Sequence, residues 1–112
     1  MVRSISLRAI LLGMAASLLL GTAVSAQVSN DAVRIGVLTD MNGNLASLSG
    51  KGSVVAATMA VEDFGGKVLD KKIEIVSADH QNKADIGTQI ANQWIDIEGV
   101  DMIIDVPISA LF

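Results

Sequence analysis

At 112 residues the chain has room for one small domain or part of a larger one, and its lack of cysteine excludes disulfide staples and thiolate metal sites. Eight Lys plus Arg stand against 12 Asp plus Glu, for a formal charge of -4, and the acids are scattered singly or in pairs; such a surface gives no footing to a nucleic-acid backbone. The 51% apolar fraction is inflated by the N-terminus and is no sign of a membrane protein.

The chain opens on Arg3 and Arg8, runs through an apolar stretch from Ala9 to Leu20 and reaches small residues from Gly21 to Ala26. A positive start, an apolar middle and a small-x-small end, here Val24-Ser25-Ala26, are the parts of a secretory leader, so cleavage is expected between Ala26 and Gln27. As a helix the apolar stretch would rise about 18 Å, short of the ~30 Å hydrocarbon core that an uncleaved anchor must cross. No cysteine follows it, which removes a lipid anchor. The expected organisation is therefore a signal peptide over 1–26 and an exported, acidic segment over 27–112, whose polar start from Gln27 to Asp31 frays.

Val33 to Leu38 is rich in β-branched residues and stops at Thr39-Asp40, which predicts a first strand. Met41 to Gly52 carries three glycines among Asn and Ser, so a loop is expected, longer than most strand-to-helix connections. Loops of that length are often binding loops. From Ser53 to Phe64, Val54, Ala57, Val61 and Phe64 recur at helical spacing, and Gly65-Gly66 supplies the stop. Lys72 to Val76 alternates polar and apolar residues after the turn residue Asp70, predicting a second strand. Ile86, Ile90, Trp94 and Ile97 predict a second helix, with Asn82 or Asp85 as N-cap and Gly99 just past its end. Val100 to Val106 is nearly continuous in apolar character and stops at Pro107, as a buried parallel strand does.

Strands alternating with helices imply parallel pairing through right-handed crossovers. The fold class is α/β, a partial Rossmann-like β-α-β-α-β sheet, and the expected strand order is 2-1-3. That order reverses the crossover direction between strands one and three, and ligands of such sheets bind beyond the carboxyl ends of the strands at the reversal. Thr39 to Gly52 and the segment from Pro107 onward lie there.

Several motifs fail on spacing. Gly50-Lys51-Gly52-Ser53 is not a phosphate loop, because Leu45 stands where the first glycine belongs and Gly52 follows the lysine; Val55 breaks a dinucleotide fingerprint. Asp40 and Asp105 end strands one and three as the acids of a phosphoacceptor receiver do, but Asp40 lacks an acidic neighbour, and both read as strand terminators at the solvent edge. His80, the single histidine, reads as a polar loop residue, since no second imidazole exists for a zinc site. No Gly-x-Ser-x-Gly elbow is present, nothing calls for a cofactor, and Trp94 reads as core.

Five features together carry a resemblance: the leader, Asp31 to Asp40, Met41-Asn42-Gly43, Ala60 to Gly66, and Asp79-His80-Gln81-Asn82-Lys83. In combination they resemble the branched-chain amino acid type of periplasmic binding proteins, the substrate-binding subunits of ABC importers. The resemblance implies two α/β lobes closing on a small ligand, of which this chain holds the first part of lobe one. It also implies a periplasmic location, an amino acid or similar small carboxylate as ligand, and a membrane permease as partner. Where the family carries proline and aromatic residues after strand one, this chain has Asn44, Leu45 and Leu48, and the two leucines match the places of ring contacts with the ligand. After strand three, Ser109 and Ala110 match the hydroxyl and backbone amide that hold a ligand carboxylate, a charge-assisted arrangement.

The reading is thus a non-enzymatic solute-binding protein. A sensory ligand-binding domain of the same fold is the alternative, followed by a secreted enzyme. The segment taken alone is expected to be marginally stable, with one wall of a cleft and an open sheet edge.

Overall fold

The structure is a computed structural model and describes residues 30–111. The leader expected over 1–26 lies outside the described residues. Along the chain come β1 (Ala32–Thr39), α1 (Gly50–Phe64), β2 (Lys67–Val68), β3 (Lys71–Asp79), α2 (Ala84–Gln93) and β4 (Met102–Ile104). A π-helical turn, Trp94–Glu98, continues α2, and a 3-10 turn, Ser109–Leu111, follows β4. None of the described helices is long and apolar enough to cross a membrane.

The sheet order is β2-β3-β1-β4, with β1 parallel to both β3 and β4 and β2 antiparallel to β3. Its three parallel strands stand in the expected order 2-1-3. β2 is an addition that two residues are too short to announce by alternation. It forms with β3 a hairpin whose two turn residues, Leu69 and Asp70, both take positive φ, 51° and 60°.

Alternation along β1 and β3 sends successive side chains to opposite faces. Ile35, Ile73 and Ile75 face α1, while Leu38, Val76 and Ala78 face α2. The two faces are filled differently. On the α2 side Leu38, Trp94 and Val100 are buried together, with Ile90, Ala91 and Ile103 against them. On the α1 side an apolar groove of about 300 Å³ runs between Ala57, Val61 and Phe64 of the helix and Ile35, Ile73 and Met102 of the sheet. Phe64, the last residue of the predicted apolar stripe, remains 66% exposed.

Helix boundaries depart from the expected ones for local reasons. α1 begins at Gly50, three residues before the expected start at Ser53, because the Gly50 amide donates to the buried Thr39 hydroxyl at 3.1 Å. It ends as its glycines predict: Gly65 takes a left-handed φ of 105°, and the Gly65 and Gly66 amides close back onto Glu62 and Val61. Neither Asn82 nor Asp85 caps α2, whose N-cap is Lys83 in extended conformation. Asn82 takes a positive φ of 53° in the turn before it, and Asp85 falls inside the first helical turn, where its charge suits the amide end of the helix.

β4 is shorter than the apolar run. Asp105 takes a φ of 54° and breaks the strand, while Val100 is core without being strand. Arg34 fastens this region to β1. Its amide donates to Asp101 at 2.9 Å, its guanidinium donates to the Glu98 carbonyl at 2.6 Å, and it pairs with Glu74 on the neighbouring strand at 3.2 Å.

Candidate functional site

Three parallel strands deliver their carboxyl ends to one edge of the sheet, and the polar residues of the chain gather there. β1 ends at Thr39, followed by Asp40; both are fully buried. Burial corrects the expectation that Asp40 ends its strand at the solvent edge. Its carboxylate turns into the following loop and accepts the Gly43 amide at 2.8 Å and the Leu45 amide at 3.0 Å. A buried carboxylate needs such donors, and backbone amides supply them without a counter-charge.

The far end of the same loop is fixed by a hydroxyl relay. Thr39 donates to the Ser49 hydroxyl at 2.8 Å, Ser49 donates to the Leu45 carbonyl at 3.1 Å, and Thr39 accepts from the Gly50 amide. The loop from Met41 to Ser49 is therefore pinned at Gly43, Leu45 and Ser49. Leu45 is half-buried, whereas Leu48 stands 82% exposed.

β3 ends on Asp79, whose carboxylate accepts from three donors: the Met41 amide at 3.2 Å, the Asn42 side-chain amide at 3.1 Å and the Gln81 amide at 2.8 Å. Desolvation pushes this carboxyl up, but donation from Gln81, Met41 and Asn42, with His80 adjacent, outweighs it and holds Asp79 below the usual carboxylate range. His80 lies in the loop just past β3, as expected, but it is fully buried there. Its Nδ1 accepts the Asn82 amide at 2.9 Å, so a neutral ring carries its proton on Nε2, and its own amide donates to the Thr39 carbonyl.

β4 opens into the last part of the edge. The buried Asp105 Oδ2 and His80 Nε2 have no hydrogen-bond partner among the described residues. Ser109 and Ala110 are exposed and begin the 3-10 turn, which packs on α2. Leu45 and Leu48 thus belong to the loop after β1, and Ser109 and Ala110 to the segment after β4; the shared edge relates them through the parallel sheet. Among the described residues no group of His, Asp and Glu is arranged to hold a metal.

Sequence reading placed Thr39 at this edge as the start of the loop after β1, but it singled out neither the Thr39 hydroxyl nor Asp79 as a structural tie there. One signal was present: hydroxyl and acidic residues standing directly at strand ends beside loops rich in amide donors.

An α/β edge of this kind, with an ordered loop after its first strand, is the ligand-facing side of many parallel-sheet proteins. The family model described as periplasmic binding protein matches residues 32–112. The chain belongs to that family. It is similar to a periplasmic binding protein from Burkholderia mallei, at 51% identity over 72% of this chain and 22% of that one, with a TM-score of 0.70. A branched-chain amino acid ABC transporter periplasmic ligand-binding protein from Burkholderia xenovorans is also 51% identical, over 66% of this chain and 20% of that one, with a TM-score of 0.64. A solute-binding protein of an ABC transporter from Rhodopseudomonas palustris, in complex with 3,4-dihydroxybenzoic acid, is 26% identical over 66% of this chain and 20% of that one, with a TM-score of 0.56. The search of curated proteins finds no match. The chain spans about a fifth of the length of the solved structures it matches.

Proposed function

We propose that this chain is exported to the periplasm by a leader cleaved after Ala26 and supplies one wall of the ligand cleft of an ABC importer's solute-binding subunit. The observation that carries the reading is the 51% identity to a periplasmic ligand-binding protein of an ABC transporter over 66% of this chain. The role is binding and delivery to a membrane permease, without chemistry on the solute. The ligand is an amino acid or related small carboxylate, a class that includes the dihydroxybenzoic acid held by the Rhodopseudomonas palustris relative.

In this reading the Ser109 hydroxyl and the Ala110 amide donate to the ligand's carboxylate, and Leu45 and Leu48 supply apolar contact. The exposure of Leu48 supports that part of the reading. An apolar side chain held out by a pinned loop gains about 25 cal/mol for each Å² that a ligand covers.

A chimera tests the reading. Residues 32–112 replace the matched part of the Burkholderia xenovorans protein, and binding of L-leucine and 3,4-dihydroxybenzoate is measured by calorimetry. We expect a folded chimera that binds a carboxylate solute. Ser109→Ala in it should weaken binding roughly 10-fold or more, the loss of one hydrogen bond to a charged group. A folded chimera that binds neither solute nor any other small carboxylate contradicts the proposal.

A further inference from the structure

We propose that Asp79 is a positioning residue that makes the loop after β1 and the turn after β3 a single mechanical unit, so that both hold or lose their shape together. The inference rests on the reading of the loop after β1 as part of the ligand site and names the residue that keeps that site formed.

One oxygen of Asp79 spans both segments. Oδ1 accepts the Met41 amide at 3.2 Å from one loop and the Gln81 amide at 2.8 Å from the other, while Oδ2 accepts the Asn42 side chain at 3.1 Å. A carboxylate accepting from three donors has its hydrogen bonds directed inward, which suits a clip better than a ligand contact. Asp40 holds Gly43 and Leu45, further along the loop, but the tie at Met41 and Asn42 runs through Asp79. In the other segment Gln81 and Asn82 take φ of 54° and 53°, a pair of left-handed conformations that persist in non-glycine residues when the surroundings over-determine them. Asp79 holds the first of that pair by its amide, and His80 Nδ1 holds the second. Loss of the Asp79 carboxylate therefore releases the start of the loop and the strained turn at once.

Amide hydrogen exchange on the full 112-residue chain, without any added solute, tests the clip. In Asp79→Ala the amides of 41–45 and of 81–83 should exchange faster by roughly 10-fold or more, together, while those of β1 and α2 keep their protection. Asp79→Asn retains an acceptor for the two backbone amides and should recover most of that protection. Adding Asn42→Asp to it supplies an acceptor for the new side-chain amide and should restore the remainder at residue 42. Unchanged exchange in either segment of Asp79→Ala overturns the proposal, and so does a uniform rise across the whole sheet in both Asp79 variants. Because no ligand enters the measurement, its outcome is separate from that of the chimera, which alone decides the carboxylate reading.

Discussion

The six-membered ring of Trp94 lies on the backbone of Gly36, in the space where any other residue would begin its side chain. A Cβ on Gly36 would meet Cζ3 of the indole in a hard clash and stand 2.6 Å from Cε3. The central strand and the end of α2 approach each other through this contact, and Trp94 is only 5% exposed as a result. Gly36→Ala should therefore destabilise the chain by about 1–3 kcal/mol, the usual cost of overpacking a filled core. Trp94→Phe shortens the aromatic system at that place and should suffer less from the added methyl. A double-mutant cycle read by urea denaturation should show coupling of at least about 0.5 kcal/mol between the two positions. Additive effects would show that the ring and the glycine do not constrain each other.

Thr39→Val removes the hydroxyl that accepts from Gly50 and donates to Ser49, at a fully buried position and with little change in volume. Two buried polar groups lose a partner. The expected loss is about 1–3 kcal/mol, and a fall in thermal midpoint of several degrees is the corresponding readout for a unit of this size. Ser49→Ala leaves Gly50 its acceptor and should cost less than Thr39→Val.

The β2–β3 hairpin turns through Leu69 and Asp70, both left-handed, and Leu69 is also 65% exposed. Two-residue turns with positive φ at both positions favour Asn followed by Gly. The double variant Leu69→Asn, Asp70→Gly should raise stability by about 0.5–1 kcal/mol, because Asn tolerates the left-handed conformation better than Leu and Gly carries no Cβ to strain there. A lower urea midpoint than that of the natural chain would refute this account of the turn.

Asp79 gives the chain an acid-sensitive component of stability. Its carboxyl lies below its ordinary value when folded, so the unfolded chain takes up the proton first as pH falls. The contribution is complete above the unfolded value of about 3.9 and is lost as pH falls through the lower folded value. Urea midpoints measured at pH 5 and pH 3 should fall further in the natural chain than in Asp79→Asn. Equal falls in both would mean that the three donors do not discriminate between the charged and neutral carboxyl.

Much of the scaffold was legible in the residues. β1, β3 and both helices announce themselves through β-branched runs and helical spacing, and the alternation of strands with helices implies parallel pairing; the expected order 2-1-3 matches the parallel strands of the sheet. What escaped was short or depended on neighbours remote in sequence. Lys67-Val68 is too brief to show a period, and it becomes a strand because the turn at Leu69-Asp70 folds it back onto β3. The start of α1 at Gly50 depends on Thr39, a residue of the preceding strand. Asp40 and His80 look like exposed loop residues to any local reading, yet both are buried: Asp40 under the loop whose amides it accepts, His80 against the turn that it holds.

Sequence alone therefore determined the alternation of strands and helices, the edge at which the polar residues collect and the family to which they belong, because those depend on periodicity and on residues adjacent along the chain. Tertiary structure alone decided which carboxylates turn inward, which glycine yields to Trp94 and how the loop at Met41 and the turn at Gln81 come to share one acceptor. The physical reason is that desolvation and hydrogen-bond geometry are properties of what surrounds a group in space, and a linear pattern carries no measure of either.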